Sequence, residues 1–570
     1  MRSRKPKEIL LIFAATALFA AGFASADSRS VAYPEIPSVQ ELRITETSPT
    51  PLRDYPGPSA GMTDPVLERA RELYVFDDFK YLADLRPKDL TAVQLERLRA
   101  QGREMVRKAG KSGEEGERAF LKFFIEAVYE PGGRLQKVPG LTKPGWKVKT
   151  GDAEIDATFD YTERTWSDLV RKTDPLKGGS LLDSPYPVLI PAGRFQESYY
   201  WDSYFGAKGL IATHRLELAR MQAENFLSSV RRYGFVPNGG RDYYLSRSQP
   251  PVLSSLVRDV YEASMRGAAP DERAHLKDWL ARRAYPLIER DYAKFWMNPK
   301  TRYDAETGLN HHWDALDTPR PERHGSDNER ALGKTYRDVR AAAESGLDFT
   351  ETFQGEATRI AGVLLNSLLY KTETDLAWMA EELGHGGEAG RYRAAASKRL
   401  AAMNRYLWDP VRGRFENYNL RTHRRVNAVS GDLFATLFAR VATPAQAKLI
   451  RDQLSILEGP GGIRASDVSH STYQWDGNNG WAPFQFFAIA GLRDYGYAAD
   501  ARRLARKWVE VNAKIYRQSG VLFERVDVQK RSKPEADTTK YSPQPGFLWT
   551  NGIFDWALVE ILGVQPEPVS

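Results

Sequence analysis

Long amphipathic helices fill most of this 570-residue sequence and constrain its fold more than any other feature. Apolar residues recur at three- and four-residue steps, the pattern of helices that bury one face. It predicts helices at about ten places, namely residues 203–233, 252–266, 271–296, 356–383, 389–407, 427–441, 444–457, 482–492, 498–519 and 552–562. Strand-like runs are short, such as residues 187–189. We therefore expect an all-α protein.

The connections between these helices indicate how they are arranged. No linker rich in Pro, Gly or Ser divides the helical region, and no sequence repeat of fixed length appears in it. The loops are long and rich in aromatic residues. We therefore predict one closed toroid of paired helices, an (α/α)6 or six-hairpin barrel, whose long loops form a cleft. A right-handed helical solenoid is the alternative, although solenoids usually show a sequence repeat.

The first 26 residues have the three parts of a cleavable export signal. A basic start precedes an apolar run over residues 9–23, and Ala24-Ser25-Ala26 supplies the small-x-small pattern that signal peptidases cleave. About 15 apolar residues are too few for a membrane anchor, which needs about 20. We therefore expect a periplasmic protein that has no membrane contact after cleavage.

The remaining chain divides into an arm and one domain. Residues 27–64 are rich in Pro, Ser and Thr and show little apolar periodicity, so we expect an extended arm there. Residues 65–570 contain the helices and are expected to form a single domain. We expect this domain to be monomeric.

Composition and missing motifs exclude several chemistries. The chain has no Cys, which excludes disulfides, thiolate metal sites and a Cys nucleophile. Its 81 basic and 74 acidic residues give a net charge of +7 without a dense basic patch, so we expect no nucleic-acid partner. The eight His residues lack metal-ligand spacing, and the motifs of phosphate loops and serine hydrolases do not occur. We expect no metal and no cofactor.

The loops gather aromatic, arginine and carboxylate side chains. In residues 191–205, Arg194, Trp201 and Asp202 lie just before a predicted helix, and similar clusters occur at 236–251, 313–322, 344–356, 473–485, 521–528 and 546–556. Aromatic rings stack on the faces of sugars, and planar charged groups bind paired hydroxyls. These clusters therefore indicate a sugar-binding site. An ordinary helix start, with Asp202 as its cap, is the alternative for the first cluster.

Two carboxylates stand out within these clusters. Asp348 lies between Leu347 and Phe349, and apolar surroundings favour the protonated carboxyl that a general acid needs. A helix cap or a paired core acid would also explain its position. Glu524 lies in the strand-like run 521–528, where an exposed strand residue is the alternative. Glycoside hydrolysis needs two carboxylates and no cofactor.

Two of the clusters resemble the two sequence signatures of the trehalase family. PAGRFQESYYWDSY (191–204) is similar to the first signature, with Ala192 in place of a Gly. QWDGNNGWAP (474–483) is similar to the second, with Asn478 in place of a Pro. NGGRDYYLSRSQPP, RPE, ESGLDF, LFERVDV and WTNG also occur in the order typical of the family. The resemblance spans about residues 74–562.

This resemblance implies a fold, a reaction and a set of site residues. The fold would be an (α/α)6 toroid, and the reaction would be hydrolysis of the disaccharide α,α-trehalose to two glucose molecules with inversion of configuration. Asp348 would be the general acid and Glu524 the general base. The residues that would bind the sugar units are Arg194, Trp201, Asp202, Asn238, Arg247, Ser248, Gln249, Arg320, Glu322, Gly346, Trp475 and Asp476.

The sequence also departs from the family pattern near the site. Members usually have a glycine-rich lid ending in Glu-Tyr before the WTNG segment, whereas this chain has EADTTKYSPQPG, with Lys540 in place of the acid. Leu347 replaces the usual Trp, and residues 350–352 replace Ser-Ser-Arg. We therefore expect slower trehalose hydrolysis or a higher KM than with the usual lid.

Three alternatives to trehalose hydrolysis follow from these departures and from the fold. A related α-glucoside would use the same two carboxylates. A non-catalytic sugar-binding protein would keep the aromatic pocket without turnover. A polysaccharide lyase on a helical toroid would rely on Tyr or His bases. Both carboxylates match the family motifs, which argues against the second and third alternatives.

Overall fold

A computed structural model describes residues 59–138, 145–331, 335–535 and 542–569, apart from the side chain of Glu329. The export signal, most of the predicted arm and Lys540 lie outside these residues. Within them the chain is mainly α-helical with small antiparallel sheets, so the prediction of an all-α protein is confirmed. None of the described helices is long and apolar enough to cross a membrane.

Helices of two groups follow one another along the chain. The first group comprises α1 (Ala60–Thr63), α2 (Pro65–Glu72), α3 (Phe79–Ala83), α4 (Ala92–Lys108) and α5 (Gly113–Val128). The second group comprises α6 (Ala153–Leu169), α7 (Tyr200–Ala212), α8 (Leu216–Tyr233), α9 (Leu253–Met265), α10 (Pro270–Trp279), α11 (Tyr285–Arg290), α12 (His324–Arg330), α13 (Tyr336–Glu344), α14 (Val363–Glu382), α15 (Gly386–Tyr406), α16 (Ala435–Phe438), α17 (Pro444–Asp452), α18 (Leu454–Leu457), α19 (Ala482–Asp494), α20 (Ala498–Ser519) and α21 (Leu548–Trp556). Short π-helical turns continue α10, α11 and α21.

The second group closes into a ring. Six inner helices contact one another in the order α7, α9, α14, α16, α19 and α21, and α21 returns to pack against α7. The outer helices α6, α8, α10–α11, α15, α17 and α20 alternate with them along the chain. This closed alternation is the predicted (α/α)6 toroid. The helices of the first group have a small core of their own, which includes Leu67, Leu82 and Phe124.

The strands are short and all their pairings are antiparallel. They are β1 (Leu85–Pro87), β2 (Tyr129–Pro131), β3 (Gly133–Lys137), β4 (Trp146–Lys147), β5 (Val170–Pro175), β6 (Val188–Leu189), β7 (Tyr303–Asp304), β8 (Leu309–Asn310), β9 (Ile360–Ala361), β10 (Trp408–Asp409), β11 (Arg414–Phe415), β12 (Tyr418–Asn419), β13 (Arg424–Arg425), β14 (Glu458–Gly459), β15 (Gly462–Ile463), β16 (Asn479–Trp481), β17 (Arg525–Asp527) and β18 (Glu567–Pro568). The pair β16–β17 matters most here, because it opposes Trp481 to Arg525 and joins two of the loop clusters.

Several predicted helix boundaries were wrong. The single helix predicted over 203–233 is two helices, α7 and α8, because the chain turns at His214 with a positive φ of 58°. Residues 356–362 form a 3-10 turn and β9, so α14 begins only at Val363. Only 431–438 of the predicted helix 427–441 is helical. The predicted arm is not extended throughout, because Ala60–Thr63 forms α1 and Ser59 N donates to Asp242 Oδ2 at 2.7 Å.

The order of the helices brings the long loops to one end of the ring. Five of the six inner helices are joined to the next outer helix by a short connection, three residues long in α7–α8, α14–α15 and α19–α20. Short connections make neighbouring helices antiparallel. Backbone hydrogen bonds join the segments that lead into α7 and α9, α14 and α19, α16 and α19, α19 and α21, and α21 and α7. The inner helices therefore begin at the same end of the ring. The long segments that lead into the inner helices, which hold the predicted loop clusters, meet there.

Glycines permit the closure of the ring between its first and last inner helices. A Cβ at Gly209 of α7 would lie 2.5 Å from Gly552 Cα, and one at Gly552 of α21 would lie 2.5 Å from the Phe205 carbonyl oxygen. Real Cβ atoms do not approach backbone so closely. The two helices therefore touch through their backbones, and any side chain at either position would push them apart.

We predict that Gly552→Ala destabilises the fold by about 1–3 kcal/mol, the usual range for overpacking a core. Gly390→Ala is the matched control, because Gly390 is also in a helix but a Cβ there meets nothing within 4 Å. The control should be neutral or slightly stabilising, since Ala is the better helix former. Urea denaturation measures both. Equal stability of the two variants would contradict a backbone contact between α7 and α21.

Candidate active site

A cavity opens at the end of the ring where the inner helices begin. It encloses about 690 Å³ when the open solvent at its mouth is included. Of the predicted site residues, the structure brings these to its wall: Arg194, Trp201, Asp202, Asn238, Arg247, Gln249, Arg320, Glu322, Gly346, Asp348, Trp475 and Glu524. They come from segments separated by up to 330 positions in the chain.

Tryptophans form a large part of the wall. Trp475 and Trp481 stack with ring centroids 3.9 Å apart and planes 9° apart, and Trp201 lies 5.8 Å from Trp475. Trp549 packs edge-on against Trp201 and Trp481. Gly346, with a φ of +74°, lies so close to Trp201 that a Cβ would approach its ring to 2.5 Å. Such flat apolar surfaces suit the faces of sugar rings.

Two buried arginines in the wall are neutralised by acids. Arg247 donates to Asn238 Oδ1 at 2.8 Å and to Glu322 Oε1 at 2.8 Å. Its third partner is Asp314 Oδ2 at 3.4 Å. These pairs hold a guanidinium in the low-dielectric interior, where an unpaired charge would be costly.

Arg320 is fixed in the same way and reaches the first candidate carboxylate. Its Nε and Nη2 donate to the two oxygens of Asp327 at 2.9 and 2.7 Å. Its Nη1 lies 3.4 Å from Asp348 Oδ2. The Asp348 side chain is 20% exposed, so it faces an arginine at the rim of the cavity and not only the apolar neighbours that the sequence suggested.

The second candidate carboxylate is more enclosed. Glu524 is 3% exposed, immediately before β17, and its Oε2 lies 3.6 Å from Arg525 Nη1. Its backbone is held on both sides, because its N–H donates to the Gln544 carbonyl at 2.9 Å and its own carbonyl accepts from Trp549 Nε1 at 2.7 Å. The alternative of an exposed strand residue is therefore wrong.

Asp202 lies beside Glu524. Burial raises the pKa of Asp202 well above its usual range, and the nearby Glu524 carboxylate raises it further. Asp202 therefore stays protonated over a wider pH range than an ordinary aspartate and can donate a hydrogen bond as a neutral acid. Burial and the neighbouring Glu524 thus both favour the neutral form of the Asp202 carboxyl.

Ser248 is predicted to bind sugar but lies behind the cavity wall. Its Oγ donates to the Val236 carbonyl at 2.6 Å, and its N–H donates to Glu344 Oε2 at 3.0 Å. Glu344 also accepts from Arg302 Nε at 3.0 Å and from Trp313 N at 3.1 Å. Burial would raise the pKa of Glu344, but Arg302 and His312 hold it at about 2. Ser248 therefore anchors the segment that carries Arg247 and Gln249.

Asp476 also lies behind the wall. Its Oδ1 accepts from Thr350 Oγ1 at 2.8 Å and from Ser466 Oγ at 3.1 Å, and its Oδ2 accepts from Glu351 N at 2.9 Å. Because both oxygens are used in this way, Asp476 ties the segment after Asp348 to the tryptophan segment.

Sequence reasoning missed part of the wall. The additional lining residues are Lys80, Phe195, Tyr199, Tyr244, Arg323, Ala343, Gln474, Phe547 and Trp549, whereas Trp481 was expected in the wall beside Trp201 and Trp475 and lies there. Most lie in the predicted loop clusters, so aromatic content could have indicated them. Lys80 is different, because it belongs to the first group of helices. The described residues contain no group of three or more His, Asp or Glu side chains arranged to hold a metal ion.

The ring and its aromatic, carboxylate-lined cavity define a carbohydrate-active protein of the helical-toroid class. The sequence pattern of the family Trehalase matches residues 76–561. The chain therefore belongs to the trehalase family and is a glycoside hydrolase.

Several solved structures are similar to this chain. The neutral trehalase Nth1 from Saccharomyces cerevisiae is 30% identical over 65% of this chain and 73% of its own, with a TM-score of 0.56. A GH63 mannosylglycerate hydrolase from Thermus thermophilus, solved in complex with glucose, is 18% identical over 65% of this chain and 95% of its own, with a TM-score of 0.47.

We predict that Asp202→Asn stabilises the protein progressively as the pH rises. The raised pKa means that folding retains a proton that the unfolded chain releases above about pH 4, so Asp202 costs stability as the pH rises from there toward its folded-state pKa. Asn carries no charge and lacks this cost. Melting temperatures between pH 4 and 8 should show a difference between variant and wild type that grows to at least about 2 °C.

The control for this measurement is Asp160→Asn, because Asp160 is exposed on α6. The difference in melting temperature between this variant and the wild type should be the same at every pH in that range. A level difference for Asp202→Asn would contradict the assignment of a neutral carboxyl at the site.

Proposed function

We propose that this glycoside hydrolase cleaves α,α-trehalose into two glucose molecules with inversion of configuration. The observation that carries the proposal is the presence of Asp348 and Glu524 in the wall of one cavity, beside stacked tryptophans and arginines whose charges are already balanced. Membership of the trehalase family supports trehalose as the substrate.

The positions of the two carboxylates suit different roles. Asp348 is partly exposed at the rim, so it can exchange a proton with water between turnovers and donate that proton to the glycosidic oxygen. Arg320, 3.4 Å away, then stabilises the carboxylate that remains. Glu524 is enclosed and removes a proton from the water that attacks the anomeric carbon from the opposite face.

The remaining wall residues position the substrate. The tryptophans stack on the sugar faces, and Arg194, Arg247 and Asn238 donate to hydroxyls. Asp202, whose neutral form is favoured by burial and by Glu524, donates in that form to an oxygen without adding a second negative charge near the attacking water. No step requires a metal or a cofactor.

A related α-glucoside is the second candidate substrate. Leu347, which stands where the family usually has Trp, is 2% exposed and buried in the main core. Thr350 and Thr352 bond to each other at 3.0 Å, and Thr350 also binds Asp476. These residues offer a second sugar unit fewer contacts than the usual Trp and Arg would. We therefore expect the protein to differ from other members of the family in its specificity for the second unit of the substrate.

We further propose that the protein acts as a monomer in the periplasm. The support for export is the basic, apolar and small-residue pattern of residues 1–26.

The products test the proposed reaction directly. Inversion at one glucose unit of α,α-trehalose releases one β-glucose and one α-glucose, whereas retention releases only the α-anomer. We predict equal initial amounts of the two anomers, measured by NMR before mutarotation. α-Glucose alone would contradict inversion, and no glucose from trehalose or from other α-glucosides would favour the sugar-binding alternative.

The two carboxylates are tested by neutral substitutions. We predict that Asp348→Asn and Glu524→Gln each lower kcat by about 10²–10⁴-fold, the usual contribution of a general acid or base. Glu351→Gln is the control, since Glu351 is exposed three residues from Asp348 and should keep wild-type kcat. Glucose release measures all three. If either variant keeps wild-type kcat, the residue that it replaces is not the general acid or base.

A further inference from the structure

The first group of helices reaches the active-site cavity although it lies outside the ring. Its helices α2, α3 and α5 share the small separate core, yet Lys80 of α3 lines the cavity. Helix α3 also packs beside the segment that carries Arg320 and Glu322, where Phe79 lies 6.2 Å from the His324 ring. A five-residue helix from outside the ring is thus part of the site.

Lys80 fixes the position of α3. The side chain is buried, and its Nζ donates to Asp84 Oδ2 at 2.6 Å, to Glu197 Oε2 at 2.9 Å and to Tyr243 OH at 3.2 Å. An ammonium group has three donors, so none is left for a sugar hydroxyl. Arg241 binds the same Glu197 oxygen at 3.2 Å. Lys80 therefore locks α3 onto two loop clusters of the ring.

Asp78, two residues earlier, faces Arg194. Arg194 Nε donates to Asp78 Oδ2 at 3.3 Å, and Arg194 Nη2 donates to Asp78 Oδ1. Two parallel bonds between a guanidinium and a carboxylate fix the plane of the guanidinium, which one bond cannot do. Burial alone would raise the pKa of Asp78, but Arg194 outweighs it and lowers this pKa below its usual range. Asp78 is therefore ionised at neutral pH.

We propose that Asp78 is a positioning residue that orients Arg194 toward the sugar hydroxyls in the cavity. The proposal rests on the proposed function, because it assigns Arg194 to binding of the α-glucoside. Asp78 acts through Arg194 and does not itself line the cavity. The first group of helices is on this view a working part of the active site and not only a separate packing unit.

The test must separate this role from the structural role of Asp78. Its Oδ1 also caps α3 by accepting from Lys80 N at 2.9 Å. Asn and Ser are equally good helix caps but carry no charge. Asp78→Asn and Asp78→Ser therefore keep the cap and lose the ion pair. Asp77→Asn is the matched control, since Asp77 is exposed and adjacent.

We predict that both Asp78 variants raise KM for trehalose about tenfold, a typical loss for a hydrogen bond to a charged group, while kcat changes less than about threefold. The control should keep wild-type KM. In a double-mutant cycle, adding Asp78→Asn to Arg194→Gln should change KM no further, because Asp78 acts through that arginine. Wild-type KM in the Asp78 variants, additive effects in the cycle, or loss of folded protein in both variants would overturn the proposal.

A binding measurement separates this proposal from the proposed function. Calorimetry of trehalose binding in an Asp348→Asn background reports affinity without turnover. If the wild type does not hydrolyse trehalose but Asp78→Asn still weakens binding about tenfold, the proposed reaction is wrong and the role of Asp78 stands. If the wild type hydrolyses trehalose and Asp78→Asn leaves the affinity for trehalose unchanged, the proposed reaction stands and the role of Asp78 is wrong. Absence of both turnover and binding overturns both.

Discussion

All inner helices of the ring begin at one end, and the rest of the structure depends on this constraint. It is seen in the backbone hydrogen bonds that join the segments before these helices, while short connections return the chain at the opposite end of the ring. The long segments before the inner helices must then meet, which is why Arg194 and Glu524 line one cavity although 330 positions separate them. Closure requires α21 to lie against α7, and the glycines at this contact allow it.

Charge balance between segments sets the detailed geometry of the cavity. Each buried arginine in the wall pairs with acids, as Arg247 does with Asp314 and Glu322. Behind the wall, the carboxylates of Glu344 and Asp476 accept hydrogen bonds from backbone N–H groups of the loops that form it. These acids do not line the cavity, but they hold the residues that do. The site is therefore preorganised, and binding energy need not be spent on ordering its loops.

The sequence predicted the ring and most of the cavity wall, and the exceptions have physical causes. Periodicity located the helices but not the turn at His214, since apolar residues continue through it. Motifs located Asp348 and Glu524. They also included Ser248 and Asp476, which do not line the cavity but hold its loops through hydrogen bonds. No local pattern indicates that Asp78 binds Arg194 or that Glu344 binds Ser248, because these contacts depend on how distant segments meet.

A crystal structure of the wild-type protein with a trehalose analogue, whose glycosidic oxygen is replaced by sulfur, would test the central claim most directly. We expect the analogue in the cavity, with Asp348 in hydrogen-bonding distance of the sulfur and a water held by Glu524 on the opposite face. The two carboxyl groups should lie about 6.5–9.5 Å apart, the separation typical of inverting enzymes. A separation near 5 Å, or an analogue bound away from either carboxylate, would contradict the account.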